Sequence, residues 1–228
     1  MSDDPFSLIG IYGGTFDPVH FGHLRVAEEL VEILQLDEVH FLPAGRPRLR
    51  NEPVASQHHR KVMLHEAIRD NRRFFLDDRE LRRSEESYSV ESLRELRDEF
   101  IGEKVAFCFI IGVDAFLKLP DWHLWRELFE LSHLVIVNRP GHISVMNQAC
   151  LPPKLRDACL DRWTDDVNAL RRVSSGFVFT AVTTLLDISS TTIRTYIAAG
   201  KSARYLLPDN VLNYIGTHHV YTRKNENR

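Results

Sequence analysis

Short apolar runs and helical periodicities alternate along this chain, the order expected of a parallel sheet whose strands are joined by helical crossovers. Leu8-Ile9-Gly10-Ile11-Tyr12 predicts a buried first strand, followed by a turn-rich stretch over 13–18. From Gly22 to Leu34, Leu24, Ala27, Leu30, Val31 and Leu34 recur every three or four positions, which predicts a helix with Glu28, Glu29 and Glu32 on its other face. Val39-His40-Phe41-Leu42 predicts a second strand, stopped by Pro43. A basic, Pro-containing loop over 44–55 leads to Ser56, which can cap a helix carrying Val62, Met63, Ala67 and Ile68 inward. Phe74-Phe75-Leu76 reads as a third strand, and Ser89 as the cap of a helix through Leu93, Leu96 and Phe100. Val105 to Ile111 is almost continuously apolar, as a central strand covered on both faces requires. Leu134-Val135-Ile136-Val137 repeats that pattern and stops at Asn138-Arg139-Pro140-Gly141. The segment 142–173 reads as a helical insertion, with Pro152-Pro153 opening a helix from Lys154 to about Leu170. Phe177-Val178-Phe179 starts a last strand, a helix bearing Ile193, Ile197 and Ala198 closes at Gly200, and a further helix runs from Pro208 to about Ile215. The expected fold is α/β: a doubly wound, Rossmann-like parallel sheet with helices on both faces and a small C-terminal helical part, one domain over 1–228.

Composition narrows the partners. With 228 residues, 43% of them hydrophobic, the chain can build a full core. Lys+Arg at 29 against Asp+Glu at 32 gives a net charge of -3, which argues against a polybasic nucleic-acid binder and against adsorption to acidic lipid. No apolar run reaches the roughly 20 residues of a membrane span, and Met-Ser-Asp-Asp-Pro lacks the look of a signal peptide. A soluble, cytoplasmic protein is expected. Three cysteines without CxxC spacing support neither a disulfide framework nor a zinc site, and no protein-held metal is expected. His58-His59-Arg60-Lys61 reads as a charged loop or helix face, and His218-His219 as an exposed pair.

Two junctions carry chemistry. After the first strand, Gly13, Gly14, Thr15 and Phe16 lead through Pro18 to His20 and His23 at a helix start. Unpaired N–H groups and partial positive charge there attract phosphate, and two imidazoles three residues apart can address one anion. In a doubly wound sheet this junction lies at the carboxyl edge of the strands, where ligands bind. The plain alternative is a glycine turn with one capping and one exposed histidine. Far along the chain, Ser189-Ser190-Thr191-Thr192-Ile193-Arg194 again opens a helix. Its hydroxyls and N–H groups can take a phosphate, and Arg194 can contact the oxygens in a two-pronged way; a Ser/Thr cap with a surface arginine is the alternative.

The string Gly13 to His23 resembles the signature of the nucleotidyltransferase superfamily, and Ile188 to Arg194 resembles its second hallmark. Intervening segments narrow the resemblance to bacterial nicotinate mononucleotide adenylyltransferases: Ser87-Tyr88-Ser89, Phe109 to Asp114, Pro120-Asp121-Trp122, Asn138 to Gly141, and Leu206-Leu207-Pro208 through Tyr214-Ile215 to Tyr221. Three departures stand out. Pro47-Arg48-Leu49-Arg50 lacks the family's usual histidine, Ser89 replaces its common threonine, and His123 stands where relatives often carry tyrosine.

The resemblance implies transfer of the adenylyl group of ATP to nicotinate mononucleotide, giving nicotinate adenine dinucleotide and pyrophosphate, with Mg²⁺ carried mainly by the ATP phosphates. It implies catalytic roles for His20, His23 and Arg194. It places Gly13, Gly14, Thr15, Phe16, Gly112, Asp114, Ser189 and Thr191 with them around ATP, and Arg50, Ser87, Tyr88, Ser89, Trp122, His123 and Arg139 around the acceptor. Three of these keep plainer readings: Asp114 as a helix N-cap, Trp122 as interior packing and Arg139 as a solvated loop residue. Rival functions are an adenylyltransferase for nicotinamide mononucleotide or phosphopantetheine, and a noncatalytic nucleotide-binding regulator. Oligomeric state stays open, a homo-oligomer included.

Overall fold

A computed structural model describes residues 4–46, 52–83, 85–137, 151–184 and 186–222. Six strands form one parallel sheet in the order β3-β2-β1-β4-β5-β6. They are β1 (Ser7–Gly14), β2 (Glu38–Pro43), β3 (Phe74–Leu76), β4 (Val105–Gly112), β5 (His133–Val137) and β6 (Val178–Ala181). The chain leaves β1 toward β2 on one side and returns to pair β4 on the other, so the strand order reverses at β1/β4. Such a reversal opens a crevice at the carboxyl ends of the strands.

Both sheet faces are buried, for a reason written in the strands. Alternate residues point to opposite faces. On one face Leu8, Tyr12, Val39, Phe41, Cys108, Ile110 and Val135 meet α1 (Phe21–Leu34), α2 (Gln57–Ile68), α9 (Ser190–Ala198) and α10 (Asp209–Thr217). On the other, Ile9, Ile11, Phe107, Phe109, Leu134 and Ile136 meet α4 (Ser89–Glu99), α5 (Val113–Leu117), α6 (Leu128–Leu131) and α7 (Pro153–Cys159). Each fully buried Leu, Ile or Phe contributes about 1.5–3 kcal/mol relative to exposure. The doubly wound sheet expected from the sequence is the fold observed.

Several local expectations are corrected. The single helix expected from Lys154 to about Leu170 is two, α7 and α8 (Val167–Leu170). Between them Trp163 bridges to Val178 of β6, and Asp166 restarts a helix by accepting the Asn168 N–H at 2.9 Å. Leu155 and Cys159 lie in one core and Leu170 in the other, so this segment packs into the body of the domain. Residues 142–150 of the expected insertion lie outside the described residues. Tyr88, not Ser89, is the N-cap of α4. Glu29, expected on the polar face of α1, is buried, because it accepts hydrogen bonds from Arg25 Nε and the Thr184 N–H, both at 2.6 Å. A short α3 (Arg79–Arg82) and 3₁₀ turns at Leu119–Asp121 and Trp125–Glu127 complete the described elements. Among the described residues no helix is long and apolar enough to cross a membrane.

Candidate active site

β1 ends at Gly13-Gly14, and the chain then turns sharply, with buried Phe16 in the left-handed region (φ 49°) and a cis Asp17–Pro18 peptide. His20, in extended conformation, is the N-cap of α1, and His23 lies in its first turn. Their rings stack with centroids 3.8 Å apart and planes 28° from parallel. The His20 backbone N–H donates to His23 Nδ1 at 3.3 Å. A ring nitrogen that accepts carries no proton, so neutral His23 keeps its hydrogen on Nε2 and presents a donor there. The Phe16 and Tyr12 rings stand edge-on to His23 at 5.1 and 6.3 Å, which fixes the imidazole plane.

The second junction reaches the first. Ser189 caps α9 by accepting the Thr192 N–H at 3.1 Å. Ser190 Oγ donates to the Pro18 carbonyl at 2.9 Å, and Arg194 Nη1 donates to the Asp17 carbonyl at 2.7 Å. Arg194 Nη2 donates to Thr191 Oγ1 at 3.2 Å. The α9 N-terminus therefore abuts the histidine loop across roughly 170 residues of chain. Gly22 tightens the joint: a β-carbon there would lie 3.0 Å from the His20 ring and 3.7 Å from the Ile188 carbonyl oxygen.

Beneath this joint sits a residue the sequence reading passed over. Asp17, 4% exposed, accepts hydrogen bonds from Val54 N–H (2.8 Å), Ala55 N–H (3.1 Å) and the Tyr221 hydroxyl (2.7 Å), and lies 3.8 Å from Arg194 Nη1. Burial and the Asp17 charge both push the Tyr221 hydroxyl up from its usual pKa, so it stays a donor. Arg60 corrects the expectation of a charged surface face at 58–61. It is 0% exposed, and its Nη1 and Nη2 donate to the carbonyls of Thr15 (2.9 Å) and Gly45 (3.3 Å). Burial lowers its pKa, while Asp17, Tyr221 and Glu80 raise it. No signal of spacing could have found Asp17's donors or Arg60's acceptors, since most are backbone groups distant in sequence.

Five of the expected acceptor residues lie among the described residues, and two of them, Tyr88 and His123, are in contact. Tyr88 packs its ring on His123 at 4.6 Å, and Trp122, half-buried, meets Phe109 edge-on at 6.3 Å. A β-carbon at Gly13 would touch that same Phe109 ring at 3.6 Å, so the ring borders both the glycine turn and Trp122. Ser87 Oγ donates to the Glu80 carbonyl at 3.4 Å, and Ser89 is the first residue of α4. Gly112 caps α5, which sets aside the N-cap reading of Asp114; Asp114 lies in that helix's first turn, half-buried. Arg50 and Arg139 lie outside the described residues. Burial raises the Glu80 pKa. That carboxyl accepts Ser92 Oγ–H at 2.8 Å and Gly45 N–H at 3.4 Å.

A profile of the cytidylyltransferase-like family matches residues 11–196. Proteins of Dechloromonas aromatica and Methylococcus capsulatus, each named "Probable nicotinate-nucleotide adenylyltransferase", are both 43% identical to this chain. The first match covers 93% of the chain and 97% of the relative, the second 95% and 100%. The chain belongs to this family. Within the cytidylyltransferase-like group it is a member of the nicotinate-nucleotide adenylyltransferases. A Plasmodium falciparum nicotinic acid mononucleotide adenylyltransferase complexed with NaAD shares the fold, at TM-score 0.70 and 19% identity over 94% of this chain and 97% of that one. In this adenylyltransferase the family match takes in both histidines and Arg194, whereas α10 and Tyr221 lie beyond it.

Proposed function

We propose that the protein joins ATP to nicotinate mononucleotide, releasing pyrophosphate and forming nicotinate adenine dinucleotide. The observation that carries this reading is the convergence of His20, His23 and Arg194 at one crevice edge, held by Asp17 and the α9 N-terminus. The identity of 43% to relatives bearing that activity's name supports the choice of acceptor.

The acceptor's phosphate oxygen attacks the α-phosphorus of ATP, and the bond from that phosphorus to the bridging oxygen of the β-phosphate breaks. The nucleophile is already ionised at neutral pH, so no general base is required. What remains is positioning and relief of charge repulsion. His23, through Nε2–H, and His20 face the transferring phosphoryl group and the triphosphate, which the backbone of Gly13, Gly14, Thr15 and Phe16 lines. Arg194, Thr191, Ser189 and the α9 N-terminus take the β- and γ-phosphates, where negative charge grows as pyrophosphate leaves. Gly112 and Asp114 receive a ribose. On the acceptor side, N–H groups of Ser87, Tyr88 and Ser89 receive the nicotinate carboxylate, Trp122 offers a ring face, His123 backs Tyr88, and Arg50 and Arg139 add positive charge.

Among the described residues no cluster of His, Cys, Asp and Glu could hold a metal ion. The donors of the crevice, the Arg194 guanidinium with imidazole, hydroxyl and backbone N–H groups, suit phosphate rather than a cation, so they fit a Mg²⁺ that enters on the triphosphate, held by phosphate oxygens and water. Bound there, the ion would neutralise phosphate charge.

The test is pyrophosphate release from Mg-ATP with nicotinate mononucleotide, nicotinamide mononucleotide and phosphopantetheine in parallel. Dominance of the first is expected. Dominance of another acceptor reassigns the substrate, and ATP binding without turnover on any of them would make the protein a nucleotide-binding regulator.

A further inference from the structure

Arg60 occupies a place that a core arginine has no packing reason to hold. It projects from the first turn of α2 into the gap between two backbone segments. One, at Thr15, belongs to the loop that carries the histidines; the other, at Gly45, follows β2 and leads toward the acceptor side. The Gly45 backbone is pressed against that side: a β-carbon there would fall 2.2 Å from the Glu80 carbonyl oxygen and 2.7 Å from Ser87 Oγ. The Gly45 N–H is taken by the Glu80 carboxyl, which also holds Ser92 of α4. A continuous chain of contacts thus runs from Arg194 through Asp17 and its loop to Arg60, Gly45, Glu80 and Ser87.

We propose that Arg60 is a positioning residue for the transfer: its guanidinium ties the triphosphate-side loop at Thr15 to the acceptor-side segment at Gly45 and so sets the distance between the two bound substrates. The inference rests on the proposed function and deepens it. A guanidinium presents donors in a rigid planar fork, so one side chain can fix two carbonyls relative to each other; an ammonium on a flexible stem cannot hold that geometry. In-line attack is sensitive to such spacing, and a displacement of about 1 Å between reacting groups can cost roughly a hundredfold in rate. The charges of Asp17 and Glu80 favour the charged guanidinium and so offset part of what burial costs it.

The signature of a spacer is a loss in kcat with each substrate's own binding kept. In the full-length enzyme, Arg60→Lys is compared with wild type for kcat at saturation of both substrates, for calorimetric affinity toward ATP alone and nicotinate mononucleotide alone, and for melting temperature. The expected result is a kcat drop of about tenfold or more with both affinities within about threefold of wild type. Gly45→Ala, which forces Gly45 away from Glu80, approaches the same gap from the other side and should give the same split; it decides the matter if Arg60→Lys does not fold. Arg97→Met removes a half-buried arginine, one that braces the carbonyls of Leu131, Val105 and Ser174, and should lower melting temperature while keeping kcat. An unchanged kcat in folded Arg60→Lys, a loss confined to the affinity for one substrate, or an equal kcat loss in Arg97→Met would each overturn the inference. Wild-type turnover with a different acceptor would instead overturn the functional reading, and the Arg60 comparison would then be made with that acceptor.

Discussion

His23 is oriented before any nucleotide arrives: the His20 N–H fixes its Nδ1, and stacking on His20 and the edges of Phe16 and Tyr12 fix its plane. Removing a preorganised donor at developing negative charge costs about 2.7–4 kcal/mol, so His23→Ala should lose roughly 10²–10³ in kcat while its circular dichroism and melting stay near wild type. Near-normal turnover would remove His23 from the mechanism. His20, His23 and Arg194 were legible as candidates because each sits in a local string whose spacing repeats a phosphate-binding pattern. Asp17, Arg60, Glu29 and Glu80 were not, although all four are buried. Most of their partners are backbone amides and carbonyls from distant segments, and a one-dimensional pattern holds no trace of those.

At the scale of elements, the crevice depends on how closely α1 can start against the segment leading into α9. Gly22 permits that approach, and alanine there would press on the His20 ring from 3.0 Å. Alanine also favours the helix over glycine by about 1 kcal/mol. The two effects separate by measurement: Gly22→Ala should melt no lower than wild type yet turn over several-fold more slowly, and an unchanged rate would show that the joint has slack. The six strands were legible in outline because each is an apolar run bounded by turn or helix signals; β1, β4 and β5 are buried along most of their length, whereas β3 is a three-residue edge strand with Phe75 exposed. The break between α7 and α8 was missed although the polar run Thr164-Asp165-Asp166 marks it; what the sequence does not show is that Trp163 bridges to Val178 of β6 there. The short α3 and α5 follow directly from loops or strand ends and are too brief to show a period.

Across the whole molecule, stability carries a pH signature from the edge of the sheet opposite the crevice. His133, at the start of β5, is buried; its Nε2–H donates to the carbonyls of Leu170 and Val173, each at 3.1 Å, while Nδ1 accepts the Phe177 N–H at 3.1 Å. Burial pushes its pKa down from 6.5 to about 4. A depressed value means that the unfolded chain takes up the proton first as pH falls. The stabilisation is therefore complete above about 6.5, is lost progressively as pH falls toward about 4, and amounts to roughly 3 kcal/mol. Urea midpoints for wild type should drop over that window, and a folded His133→Gln variant should show a flatter slope; parallel slopes would place the acid sensitivity elsewhere.

The Tyr221 hydroxyl and the Asp17 carboxylate it caps are 204 residues apart in sequence, with α10 just before the tyrosine. During translation the histidine loop emerges early but lacks this anchor until the ribosome has delivered nearly every other element of the domain. A chain ending before residue 221 would lack that donor, leaving Asp17 with the Val54 and Ala55 amides and the Arg194 guanidinium alone.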